Sequence, residues 1–502
     1  MNFKLLILLF ALLVGSISHG QNKRYTKILD EFIEQGMTDW NIPGLSAVVV
    51  QNNDVVYHRS FGVLEKDKDQ KVNEETLFTM ASTTKAITAI CLGMLVDEGK
   101  IAWNDNVIEH YPNFNVSDPY VRSTATIKDV LTHVIGFDGV ATWYGSLSDT
   151  TQSAVYENYK KMEQIFPFRS SWEYSNDMYA VAGAIIEHVS GDSYSTFIKK
   201  RIFEPLEMNH SILGYDNVLG SSNAATPHDY DSESNVYTVS HSNVDHYRAA
   251  GGIWSCTKDV VNYLKFINNQ GVFNGEILLK KATFDYLFTP HVTLTPEQFH
   301  YPICDVDPPN WLTYGLGWFQ HDYNGTKIDF HTGSLHGLVS IIGVIREKNT
   351  AVYLFANQDH AEFRHAFLYK ALDLYAFDSN DTEWDQKIIA VTQAKSLKFK
   401  RYRERVLETR VEGTSPAHDL NEYAGMYYNN ELGRVQILVD GDQLKLKLNQ
   451  FDASELQHWN YETFKGVQLE TLSSAIPFVT FINSNIGTIE SLRIFGQYWN
   501  KR

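Results

Sequence analysis

Apolar side chains recur at helical spacing from Ile28 to Met37, and Gly36 predicts that this amphipathic helix closes there. Two strand-like runs follow, Leu45–Gln51 and Val55–Gly62, separated by Asn52-Asn53-Asp54, which is a hairpin signature. Ile87, Ile90, Cys91, Met94 and Leu95 then return at helical spacing behind Ser82, and Gly99 suits the C-terminal cap of that helix. A short helix is predicted over Ile127–His133, running into a loop punctuated by Gly136 and Gly139. Asn176–Ser190 reads as a well-formed helix capped by Asn176 and ended by Gly191, and Ser193–Phe203 as another, stopped before Pro205. The stretch Leu213–Asp245 is polar and irregular. Strand-like runs reappear at Trp318–Phe319, Lys327–His331, Val339–Arg346 and Thr350–Asn357, the last three as an antiparallel meander. Strands at both ends with helices between predict an α+β domain whose first and last parts share a sheet.

The pattern changes after residue 377. Lys395, Lys398, Lys400, Arg401, Arg403 and Arg405 cluster in a segment that reads as a solvated helical linker, broken by Gly413-Thr-Ser-Pro416. Beyond it, Val435–Val439, Leu444–Leu448, Phe464–Leu469, Phe478–Ile482 and Ser491–Phe495 are short strand-like runs between turns such as Asp440-Gly441-Asp442. They predict a small β-sandwich or barrel. The expected organisation is an α+β domain over 21–377, a linker over 378–418 and an all-β domain over 419–502.

Composition narrows the class. A chain of 502 residues exceeds what one hydrophobic core supports, and a hydrophobic content of 43% marks it as globular. The net charge of -17 argues against nucleic acid or an anionic membrane as partner. Residues 1–20 have the parts of an export signal: Lys4, the apolar run Leu5–Val14, and Ser18-His19-Gly20 before a cleavage point at Gln21. The apolar run is short for a membrane span, so the mature protein is expected to be secreted, extracellular or periplasmic. Three cysteines, Cys91, Cys256 and Cys304, cannot all pair, which excludes a disulfide scaffold. Asn115, Asn209, Asn324 and Asn380 stand in glycosylation triplets, which would make a eukaryotic product a glycoprotein.

Three short patterns carry candidate chemistry. In Ser82-Thr-Thr-Lys85 the two residues share a helix face, so a hydroxyl lies beside an amine that burial could leave neutral and basic. In Tyr174-Ser-Asn176, a buried phenol near the lysine could be held as phenolate or share its proton, and the amide could orient the lysine and a substrate carbonyl. In His331-Thr-Gly-Ser-Leu-His-Gly337, Gly333 allows close backbone approach at a strand edge, and the N–H groups of Ser334 and Ser82 could form an oxyanion hole.

Taken in order and at these spacings, the three patterns resemble the serine β-lactamase and penicillin-binding-protein superfamily, closest to its class C and esterase or D-aminopeptidase-like branch. Gly191-Asp-Ser-Tyr194, Phe203–Met208 and Gly251-Gly-Ile-Trp254 are similar to that branch too, and the resemblance covers residues 25–375. It implies an antiparallel sheet flanked by helices with an all-helical subdomain. It also implies acylation of Ser82, proton transfer by Lys85 and Tyr174, substrate binding by Asn176, His331, Thr332, Gly333 and Ser334, and no cofactor or metal. Leu420-Asn-Glu-Tyr-Ala-Gly-Met-Tyr427 resembles the start of a lipocalin-like domain appended to some relatives. Two departures stand out: Arg169-Ser170 where many relatives have Pro-Gly, and His331 where penicillin-recognising members have lysine. A free histidine is only about a tenth charged at pH 7.5, so a peptide, amide or ester substrate is expected over a penicillin.

The rival readings are weaker. His360 and His365 lie five apart, His241–His246 lacks a nearby His-x-His, and no Gly-x-Ser-x-Gly elbow occurs. A secreted matrix or structural protein that uses the same fold for binding is the alternative from another class.

Overall fold

The computed structural model describes residues 22–137, 160, 164–230, 235–429, 433–448, 453–467 and 476–502. The expected export signal and Gly139 lie outside the described residues. The chain divides into two compact units, one including Pro119–Gly136 and Phe166–Thr392, the other including Gln393–Arg502.

In the first unit, helix α1 (22–39) leads into the hairpin β1 (Gly44–Gln51) and β2 (Asp54–Gly62). Asn52 and Asn53 take left-handed φ values of 50° and 69°, as a tight hairpin turn requires. Gly36 does not close α1 as expected. A Cβ there would come within 2.0 Å of the Phe363 ring, so this glycine serves close packing inside the helix. After the short turn Ala81–Thr83 come α2 (Thr84–Asp97), α3 (Ile127–Leu131) and α4 (Asn176–Ser190), the last packing against both others, and then α5 (Thr257–Asn268). Helix α2 is buried on all sides from Thr84 to Leu95, where sequence periodicity predicts one apolar face.

Six further strands are β3 (Val292–Thr293), β4 (Leu312–Tyr314), β5 (Phe319–Tyr323), β6 (Thr326–Leu335), β7 (Leu338–Ile345) and β8 (Thr350–Ala356). They join the hairpin in one sheet of order β3-β4-β5-β6-β7-β8-β1-β2, with every pairing antiparallel. Strand β1 pairs with β8, so the first and last parts of the unit share the sheet as predicted. One face of β1, with Leu45, Ala47 and Val49, joins the core built with α1 and α6 (Phe363–Phe377). The opposite face carries Ser46, whose hydroxyl meets Thr257 at the start of α5.

Helix α7 (Trp384–Glu408) starts with Trp384 and Ile388 in that core and carries the basic run from Lys395 to Arg405 on its later turns. The second unit holds a closed barrel of eight antiparallel strands paired in chain order, β9 (Gly425–Asn429) to β16 (Gln497–Lys501), with Tyr427 of the first opposite Lys501 of the last. Three of its strands, Gly425–Asn429, Ser454–Asn460 and Gln497–Lys501, go beyond those the sequence predicts. Alternate inward residues, Leu444, Leu446 and Leu448 among them, fill its core.

Candidate active site

Ser82 sits in the Ala81–Thr83 turn that enters α2, one step earlier than the first α-helical turn expected for it. Ala81 before it is fully buried with φ at 43°, a left-handed conformation that strains a non-glycine residue by about 1–3 kcal/mol and persists only where the surroundings impose it. Those surroundings are visible. Strand β6 lies against the turn at Gly333, where a Cβ would meet the Met80 carbonyl oxygen at 2.3 Å and Ala81 at 3.0 Å. The Ser340 hydroxyl of β7 donates to the same Met80 carbonyl at 2.8 Å. The expected close approach at Gly333 is thus directed to the turn that carries Ser82.

Lys85, one helical turn on, is fully buried. Its Nζ lies 3.2 Å from Ser82 Oγ, 2.6 Å from Asn176 Oδ1 and 2.9 Å from the Ala250 carbonyl oxygen. Burial holds its pKa well below the ordinary lysine value. The last two partners can only accept, so a neutral amine that gives its two protons to them has its lone pair free for the Ser82 hydroxyl. Asn176 is free for this because Ser175, not Asn176, caps α4 by accepting from the Met178 N–H. Tyr174 is hydrogen-bonded to Ser82, and its ring centre lies 4.8 Å from Lys85 Nζ. Burial raises its pKa well above the ordinary value, so it is a neutral phenol and not the phenolate that the sequence left open.

The third motif runs along β6. Its pairing with β5 ends at Phe330, while pairing with β7 continues to Leu335, so residues 331–335 have an open edge on the β5 side. His331 is 1% exposed, and its pKa is pushed down to about 3, chiefly by burial. The ring is therefore wholly neutral, beyond the tenfold deficit of charge expected from a free histidine. Both its nitrogens are engaged, Nδ1 with the Thr332 carbonyl at 2.7 Å and Nε2 with the Tyr314 hydroxyl at 3.3 Å. Thr332 Oγ1 meets Tyr301 Oη at 3.0 Å, and Ser334 is exposed. A residue that sequence reasoning missed, Arg364 of α6, donates at 2.7 Å to both the Gly333 carbonyl and Ser334 Oγ and at 2.9 Å to Glu362. No pattern in the chain pointed to it, because it stands 31 positions from Gly333. Arg169, at the place of the Pro-Gly departure, takes a φ of 61° and binds Asp129 of the Thr126 capping box through two nitrogens, at 2.9 and 2.6 Å.

The chain is 26% identical over 341 residues to protein flp of Staphylococcus aureus, covering 66% of this chain and 62% of that protein. It thus spans under two thirds of the length of such relatives. It is 26% identical over 440 residues to unguisins hydrolase ungD of Aspergillus violaceofuscus, covering 81% and 75%. Among solved structures, the octameric penicillin-binding protein homologue from Pyrococcus abyssi superposes with a TM-score of 0.62 at 23% identity, covering 95% of this chain and 99% of that one. SurE superposes with a TM-score of 0.57 at 18% identity, covering 97% and 100%. Residues 409–501 match a domain of unknown function, DUF3471. Residues 29–377, the stretch that holds Ser82, Lys85, Tyr174 and the β6 edge, match Beta-lactamase, and the chain belongs to that family.

Proposed function

We propose that this protein is a secreted serine hydrolase that cleaves an amide, peptide or ester bond through an acyl-enzyme on Ser82. The observation that carries the reading is the buried Lys85 amine 3.2 Å from Ser82 Oγ, with two acceptor-only partners that can take both protons of its neutral form. Lys85 takes the Ser82 proton as Oγ attacks the carbonyl carbon. The backbone N–H groups of Ser82 and Ser334 receive the oxyanion. The Tyr174 hydroxyl passes a proton to the leaving group and is refilled from Lys85, while Asn176 holds the lysine and the substrate amide. Water then hydrolyses the ester by the reverse proton path. The name of the ungD relative supports hydrolysis as the reaction class.

The substrate is an uncharged acyl group and not a penicillin. Penicillin recognition calls for a cation near the third motif. His331 is neutral there, and Arg364 is committed to Glu362, Gly333 and Ser334. A fluorophosphonate is expected to label Ser82 and to leave Ser82→Ala unlabelled. No difference between the two would return the fold to a binding or matrix role. A simple ester should be hydrolysed faster than a penicillin, and the opposite order would sink the substrate assignment. Secretion predicts a mature N-terminus at Gln21, which sequencing of the exported protein reads directly. Asn209, Asn324 and Asn380 are exposed and would carry sugars in a eukaryotic host.

A further inference from the structure

His133 follows α3, is 1% exposed and takes a left-handed φ of 61°. Its backbone carbonyl accepts from the Glu173 N–H at 2.9 Å, and its ring Nδ1 accepts from the Ser175 N–H at 3.0 Å. The two bonds bracket Tyr174. Between them the His133 ring lies along the Tyr174 ring, with centroids 4.6 Å apart and 33° between the planes. We propose that His133 is the positioning residue of this site, gripping the loop on both sides of Tyr174 so that its phenol meets Ser82, with Tyr314 holding the His133 ring in the tautomer that can grip. The proposal rests on the acyl-enzyme reading of Ser82.

The ring protons of the two histidines follow from their neighbours. A backbone N–H can only donate, so Nδ1 of His133 is bare and the neutral ring carries its proton on Nε2. That N–H donates to Tyr314 Oη at 3.2 Å. At the far end a backbone carbonyl can only accept, so Nδ1 of His331 carries that ring's proton toward Thr332. Its bare Nε2 faces the Tyr314 hydroxyl at 3.3 Å, and that hydroxyl is also hydrogen-bonded to Tyr179. Donation therefore runs from Ser175 through His133 to Tyr314, and the His331 ring in turn donates to Thr332. A second proton on His133 would set its Nδ1–H against the Ser175 N–H and open the grip. The groups facing His133 are the Lys85 amine, the His331 ring and the phenols of Tyr174, Tyr179 and Tyr314, the Tyr179 phenol donating to the Leu131 carbonyl at 3.0 Å. None of these favours a charged ring, so the grip stays set. A displaced phenol matters because about 1 Å of misplacement costs on the order of 100-fold in rate.

The test measures ester turnover of the full chain per active site, with sites counted by fluorophosphonate labelling, so that a loss of folded protein does not register. His133→Phe keeps a ring on Tyr174 and removes the ring hydrogen bonds. It should lower kcat at least thirtyfold with KM within threefold. His133→Asn restores an acceptor near the position of Nδ1 and tolerates the left-handed φ. It should return kcat to within fivefold of wild type. Tyr314→Phe leaves the ring free to change tautomer and should lower kcat threefold to tenfold. Wild-type kcat in His133→Phe, or His133→Asn no better than His133→Phe, overturns the proposal. If His133→Phe yields no labelled sites, Tyr314→Phe decides, and an unchanged kcat there overturns it. Normal labelling of the wild type with an unaffected His133→Phe removes this proposal alone. An unlabelled wild type removes the acyl-enzyme reading and this proposal with it.

Discussion

The first unit buries Lys85, His133, His331, Arg364 and His365 among its apolar side chains, whereas the described residues of the barrel bury no charged group and only two serines, Ser454 and Ser491. Both cores are otherwise built of the same aliphatic and aromatic residues. Taking a charge or an unpaired polar group out of water costs several kcal/mol unless partners satisfy it, so such groups persist where something other than folding requires them. The barrel is organised to close a sheet on itself. The first unit carries the same kind of core and adds a line of buried polar groups that converges on Ser82, which is where perturbed ionisation and chemistry coincide.

Substitutions that remove the reacting groups test that contrast most severely. Lys85→Met and Ser82→Ala should each lower ester turnover on the order of 10⁴-fold with the fold intact, judged by unchanged circular dichroism. Because neutral Lys85 is the reactive form and its pKa is depressed by burial, wild-type kcat/KM should rise with pH and level off well below the range where an ordinary lysine deprotonates. A rate still climbing toward pH 10.5 would mean that the amine is not shielded as described.

Gly333→Ala comes next. Its Cβ would fall 2.3 Å from the Met80 carbonyl, forcing β6 away from the Ser82 turn. Turnover should drop about 100-fold, with a stability loss of about 1–3 kcal/mol from overpacking. A smaller effect follows from acid. His331 and His365 are pushed down to about 3 and His321 to about 4, all by burial, so between those values and 6.5 the unfolded chain binds more protons than the folded unit. Their contribution is fully present above pH 6.5 and is lost as the pH falls toward 3. The first unit should therefore lose hydrogen-exchange protection over that window before the barrel, whose His458 is partly exposed. Simultaneous loss would erase the distinction between the two cores. The mildest case is Leu492→Ala in the barrel, expected to cost that unit about 2–5 kcal/mol in denaturant and to leave kcat of the first unit within twofold.

Most elements were legible because their signals are local. The Asn52-Asn53 turn, the left-handed Gly191 after α4 and the three-strand meander β6-β7-β8 all sit where turn chemistry and hydrophobic period place them. Gly36 misled, because a stop signal and a close-packing requirement look alike in one dimension, whereas the close approach expected at Gly333 is present and directed to the Ser82 turn. The cap of α4 slipped by one residue for a related reason. Ser175 and Asn176 are both good caps, and only the demand of Lys85 for an acceptor decides between them.

The sequence alone determined the periodic elements, the α+β order followed by short strands, and the set of side chains able to react, since each depends on residue type and short spacing. Only the tertiary structure decided the protonation states of that set, the open edge beside Ser82, and the parts played by His133, Tyr314 and Arg364. Burial and long-range hydrogen bonds fix those properties, and both come into being when segments up to hundreds of residues apart are packed together.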